Sequence, residues 1–85
     1  MKYALFYKQS AAEELLQLPV SIALKIKEAI NHLTENPRPQ NCIKLKGAKN
    51  DYRIRIGNYR VVYTILDAVL MITIIKIAHR KDIYR

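Results

Sequence analysis

Three arginines, Arg53, Arg55 and Arg60, have the spacing richest in chemistry in this 85-residue chain. The stretch Tyr52-Arg53-Ile54-Arg55-Ile56 alternates with a period of two, as a half-buried strand does. Gly57-Asn58 is a two-residue hairpin signal, and residues 59–66 read as the return strand. Such a turn sets Ile56 opposite Tyr59, Arg55 opposite Arg60, Ile54 opposite Val61 and Arg53 opposite Val62. The three arginines then share one sheet face, and two of them face each other across the hairpin. Directly opposed Cβ atoms sit about 5 Å apart, and like charges there destabilise pairing. A fold has no use for this opposition. An anion between the two gives it one, because guanidinium groups grip phosphate bidentately. The plain alternative is a solvated face on which the arginines tolerate each other.

Further groups gather near the end of the next strand. His79-Arg80 closes that strand and Tyr84 follows. Convergence on the same face is expected, adding a titratable imidazole, a cation and an aromatic ring. Histidine changes charge near neutrality, and a ring beside a basic groove stacks on an unpaired base. Lys44, Lys46, Lys49 and Lys81 read as cations that position a nucleic-acid backbone. By the same alternation Tyr52, Tyr59 and Tyr63 fall on the other face, as core or helix contacts. Cys42 has nothing nearby to activate it.

Charge distribution supports a polyanionic partner. Fifteen Lys and Arg oppose seven Asp and Glu, giving +8 at pH 7. Residues 1–42 carry a net +1 and residues 43–85 a net +7. A one-signed field on one half of a small domain attracts polyanions. One cysteine excludes an internal disulfide and a Cys-based zinc site. Two histidines and no close carboxylate pair give no reason to expect a metal centre or another cofactor. The start, MKYALFYKQS, lacks the apolar core of a secretory signal. The apolar run from Val61 to Ala78 is interrupted by Asp67 and Lys76 and alternates, so it reads as two strands and not a membrane span. A soluble cytoplasmic protein with no membrane partner is the expectation.

These residues need a scaffold. Residues 2–7 read as a first strand. Ser10 is the expected N-cap of a short helix, with Glu13 at the capping-box distance. That helix runs through Leu18 and turns Leu15 and Leu16 inward. Pro19 suits the first turn of a second helix. There Ile22, Ile26, Ala29, Ile30 and Leu33 recur at steps of three and four, a single apolar stripe. Asn36-Pro37-Arg38-Pro39 stops it, since residues before proline avoid the helical region. Residues 40–50 read as a polar connection. The strands at 52–56, 59–66 and 69–78 then form a meander, turning near Asp67-Ala68. The expectation is a single α+β domain over residues 1–85. Its order is β-α-α-β-β-β, a small antiparallel sheet with both helices packed on one face.

Taken in order, Lys44-Leu45-Lys46-Gly47, Tyr52-Arg53-Ile54-Arg55, Tyr59-Arg60-Val61-Val62-Tyr63 and the run from Ala78 to Tyr84 resemble the RelE/ParE superfamily of bacterial and archaeal toxins, the RelE branch above all. The resemblance implies the toxin of a type II toxin–antitoxin system, a ribosome-dependent, metal-independent endoribonuclease that cuts mRNA in the A site. It implies an antitoxin partner that wraps and silences the toxin. A +8 surface suits an acidic segment that folds on binding. Carried over by position, Arg53, Arg55, Arg60 and Arg80 hold the scissile phosphate and Tyr84 stacks on an mRNA base. Some RelE proteins have lysines where this chain has Arg53 and Arg55. An arginine does not accept a proton at neutral pH, so His79 is the candidate general base by chemistry alone. The chemistry expected is attack of the RNA 2′-OH on the adjacent phosphorus, giving a 2′,3′-cyclic phosphate. Two alternatives remain open, a ParE-like inhibitor of DNA gyrase and a non-catalytic nucleic-acid-binding module.

Overall fold

Two amphipathic helices and five strands build the molecule. The computed structural model describes residues 2–81. Strand β1 is Ala4–Tyr7, helix α1 Gln9–Leu16 and helix α2 Val20–Leu33. Strands β2 (Cys42–Lys44), β3 (Asp51–Ile56), β4 (Tyr59–Leu66) and β5 (Met71–His79) follow. They form one sheet in the order β1-β5-β4-β3-β2.

The apolar stripe of α2 packs as its spacing predicts, with Ile26, Ile30 and Leu33 buried. They meet Ile54, Val61, Tyr63, Ile65, Ile72, Ile74 and Ile77 from one sheet face, and Ala11 of α1 joins them. Each fully buried aliphatic side chain of this kind contributes about 1.5–3 kcal/mol of transfer free energy. Leu15 packs against this core, whereas Leu16 is 84% exposed, contrary to the inward orientation expected for both. Ser10 does not cap α1 either. Lys8 holds the N-cap position, without a side-chain cap. Its backbone N–H donates to the Ile74 carbonyl at 2.8 Å, so docking on β5 fixes where the helix begins.

Two features correct the expected sheet. The connection after α2 contains a strand, β2, which pairs antiparallel with β3. In addition β1 runs parallel to β5, so the sheet is mixed. The two helices carry the chain from β1 to β2 at the opposite edge of the sheet, and three antiparallel reversals then bring β5 back beside β1, running in the same direction.

The hairpin register is the one the Gly57-Asn58 turn predicts, with Arg55 opposite Arg60 and Arg53 opposite Val62. Gly57 takes φ +60°, a left-handed value that the turn needs and a side chain resists. Between β4 and β5 the ladder is irregular. Val62 pairs with Lys76 but Tyr63 pairs with Ile74, which leaves Ile75 as an extra residue. This bulge brings Ile72, Ile74 and Ile77 to the same face, although 74 and 77 are an odd number of residues apart.

Candidate functional site

With the helices covering one face, the arginines occupy the other. Arg53 and Arg55 on β3 and Arg60 on β4 alternate with the buried Ile54 and Val61. Their environments differ. Arg60 is only 6% exposed, Arg53 is half-buried and Arg55 is exposed. The Arg55 guanidinium meets no carboxylate among the described residues. Asn41 steadies its backbone, donating from Nδ2 to the Arg55 carbonyl at 3.1 Å. Asn41, Ile43, Arg53 and Arg55 line a hollow of about 280 Å³. A larger hollow, about 570 Å³, lies between the start of β1 and the end of α2 and includes none of these arginines.

The bulge at Ile75 decides what β5 adds to this face. Regular alternation onward from Ile72 and Ile74 would turn His79 toward the arginines and Arg80 toward the helices. The extra residue reverses this. Ala78 is now opposite Arg60, and His79 is opposite Tyr59 on the helix side. There the His79 ring meets Tyr59 edge-on at 5.3 Å, and its Nδ1 accepts from the Lys81 backbone N–H at 3.3 Å. His79 therefore does not join the arginines. The Arg80 N–H donates to the Asn58 carbonyl at 2.8 Å, which extends the ladder one rung and puts Arg80 beside the Gly57-Asn58 turn. By alternation from Ala78 it lies on the arginine side. Tyr84 falls outside the described residues.

The lysines are less convergent. Lys46, Lys49 and Lys81 are exposed. Lys44 pairs with Tyr52, and its Nζ stands 5.9 Å from that ring's centroid, so it borders the helix side of the sheet. Tyr52 and Tyr63 do face the core, with ring centroids 6.1 Å apart.

A further arginine, Arg38, has a different setting. Its Nη2 meets Asp67 Oδ2 at 2.7 Å and its Nε donates to the Tyr52 hydroxyl at 3.2 Å. The Tyr3 hydroxyl donates to Asp67 Oδ1 at 2.7 Å. Hydrogen bonds from Arg38 and then Tyr3 hold the Asp67 carboxyl below the usual carboxylate range. The Asp67 bond, followed by partial burial, pushes Tyr3 up. Beside this cluster the buried Tyr63 hydroxyl donates to the Pro37 carbonyl at 2.7 Å, and burial raises its pKa. This cluster ties the segment after α2 to β1 and to the β4–β5 turn. Its partners are 14 to 64 residues apart, and local sequence spacing gave no sign of it.

Among the described residues no group of three or more His, Cys, Asp or Glu is arranged to hold a metal ion. No helix among them is long and apolar enough to cross a membrane. A sheet face whose register sets the exposed Arg55 opposite the buried Arg60 is suited to binding a phosphodiester at Arg55 and stabilising added negative charge on it.

Comparison with known proteins agrees with this architecture. Residues 5–84 match the family described as the ParE toxin of type II toxin–antitoxin systems, parDE. A candidate toxin named RelE1 from Methanocaldococcus jannaschii is 36% identical over 88 residues, covering 100% of this chain and 98% of that one. The mRNA interferase toxin RelE of Escherichia coli is 26% identical, over 95% of this chain and 86% of its own. RelE in the RelE–RelB complex of Pyrococcus horikoshii superposes with a TM-score of 0.85 at 29% identity, over 96% of this chain and 99% of that one. With a family match over nearly its whole length and RelE relatives by both sequence and fold, the chain belongs to the RelE/ParE superfamily of toxins from type II toxin–antitoxin systems.

Proposed function

We propose that this toxin is a ribosome-dependent endoribonuclease that cuts mRNA in the A site and thereby stops translation. The observation that carries the reading is the opposition of Arg55 and Arg60 on the sheet face away from the helices, with Arg53 on the same face and Arg80 at the adjoining strand end. The E. coli relative's name, mRNA interferase toxin RelE, supports it. The RNA's own 2′-OH attacks the neighbouring phosphorus and the bond to the 5′-oxygen breaks. The products are a 2′,3′-cyclic phosphate and a 5′-hydroxyl. Because the nucleophile is part of the substrate, the protein must align it and neutralise charge, and no metal is needed in this scheme. Arg55, Arg60 and Arg80 stabilise charge on the phosphate oxygens, and such preorganised donors are worth about 2.7–4 kcal/mol each in comparable sites. Arg53 positions the strand, Tyr84 stacks on a base, and Lys46, Lys49 and Lys81 hold the backbone, whereas Lys44, on the helix side, takes no part. The ribosome fixes the RNA for in-line attack. His79, on the helix side, leaves the arginine face without a general base among the described residues. Catalysis on this reading rests on alignment and charge.

The partner is an antitoxin with an acidic segment that orders on binding. Solved relatives in complex with RelB support this. The place of action is the cytoplasm, where ribosomes are.

Primer extension on cellular mRNA after induction tests the reading. Discrete in-frame cuts are expected, and they disappear with Arg80→Ala while antitoxin binding remains measurable. The family description as ParE toxin favours a second reading, inhibition of DNA gyrase. Gyrase-linked DNA breaks with intact mRNA would establish that reading instead. RNA binding without either effect would leave a non-catalytic nucleic-acid-binding module.

A further inference from the structure

Strand β2 is a three-residue edge strand, and its register places Ile43 directly opposite Arg53. Ile43 therefore lies on the arginine face, 52% exposed. A lone exposed isoleucine is ordinary. This one forms a wall of the 280 Å³ hollow whose other linings are Asn41, Arg53 and Arg55. One rung further along the same register would set Asn41 opposite Arg55. There the Asn41 side chain takes the place of backbone, with Nδ2 bonded to the Arg55 carbonyl. An amide group retains a second N–H and a carbonyl oxygen beyond one such bond. The hollow thus offers two cations, an apolar wall and an amide, and no carboxylate among its four lining residues.

That combination matches a nucleotide, which has an anionic phosphate, an apolar base face and a polar base edge. The volume is at the small end of ligand-sized clefts and limits the occupant to a single unit of a chain. We propose that this hollow receives the ribonucleotide adjoining the linkage being cut, with its phosphate on Arg53 and Arg55, its base against Ile43 and its base edge near Asn41. Ile43 and Asn41 are then determinants of which sequences are cut. This rests on the nuclease reading for its biological meaning, since Arg53 and Arg55 serve both the hollow and the phosphate clamp. The binding itself is measurable separately.

The test uses the full chain with its isoleucine δ1 methyls labelled for NMR. It is titrated with each of the four 3′-nucleoside monophosphates, with inorganic phosphate and with a Glu-rich peptide. The Ile43 methyl is expected to shift with nucleotides and not with phosphate. Ile43→Ala should weaken nucleotide binding about fivefold by calorimetry, as the loss of part of a buried aliphatic surface predicts, and leave phosphate binding unchanged. On programmed ribosomes the same variant should raise KM by about the same factor at near-constant kcat and redistribute the cut sites, and Ile43→Leu should restore the wild-type pattern. An unmoved Ile43 methyl, or a shift caused by the acidic peptide alone, overturns the proposal, as does an unchanged cut pattern in Ile43→Ala. A nucleotide-dependent shift at Ile43 in a chain that cuts no mRNA supports the subsite and overturns the nuclease. Normal cleavage with an unmoved methyl does the reverse.

Discussion

Arginines at the two ends of β4 have opposite surroundings. Beyond Leu66, Arg38 closes on Asp67 through two nitrogens and reaches Tyr52 as well. Roughly 25 Å away by strand rise, at the Gly57-Asn58 end, Arg60 is opposed by Arg55 and flanked by the Ala78–Arg80 strand end. The first arrangement satisfies a cation internally, so it joins segments. The second sets like charges directly opposite each other across the hairpin, an arrangement that strand pairing alone does not favour. Residue type is the same in both regions. What differs is the residue that the fold sets against each arginine, Asp67 at one end and Arg55 at the other.

Arg60 gives the largest expected effect. Arg60→Gln should lower cleavage by roughly 10²–10³-fold in timed assays on ribosomes, with the far-UV spectrum unchanged. Since Arg60 is 6% exposed, Arg60→Lys is a second check, keeping the charge but not the fork, and intermediate activity is expected. Full activity in either variant would move Arg60 into the structural class. Arg55→Gln should cost less, about tenfold, because solvent and salt screen an exposed cation. Its defect should also shrink at high ionic strength relative to wild type.

At the other end the order is reversed, with stability changing and cleavage retained. Tyr63→Phe removes the buried hydroxyl donor from the Pro37 carbonyl and should cost about 1–2 kcal/mol in urea unfolding. Loss of cleavage with unchanged stability would reverse the assignment. The smallest effect is expected at Asp67, which is exposed. Asp67→Asn should lower Tm by a few degrees at neutral pH. The folded Asp67 carboxyl lies below its ordinary value because of Arg38 and Tyr3. Its stabilisation is therefore complete above the unfolded carboxyl pKa and is lost as pH falls through the folded value. The Tm gap between wild type and Asp67→Asn should close below about pH 4. A gap that persists on acidification would assign the loss to something other than this carboxylate.

Much of the arginine end was legible in local sequence. A two-residue turn around Gly57 fixes the pairing of Arg55 with Arg60, and alternation fixes which residues share a face. The stripe of α2 was readable for the same reason, since each depends on a period within one element. Strand β2 was not readable, because three residues are too few to show a period. Nor was the parallel pairing of β1, which depends on the helices carrying the chain across to the far edge of the sheet before the later strands return to it. The Arg38–Asp67 contact joins residues 29 apart and follows only from their meeting in the folded sheet. A sign of the bulge was present. The run Ile72, Ile74, Ile75 and Ile77 changes phase between 74 and 75, but which of these face the core is settled only by pairing with β4.

The sequence by itself determined a basic α+β domain and a hairpin with opposed arginines, because turn chemistry and two-residue periodicity act over short stretches of chain, while its ordered motifs carried the resemblance to RelE/ParE toxins. Only the tertiary structure decided that Arg80 and not His79 lies on the arginine side, that Ile43 and Asn41 border the site, and that Arg38 belongs to Asp67. Each of these depends on where one strand slips or ends against another, and that is set by packing of the shared core and not by any single segment.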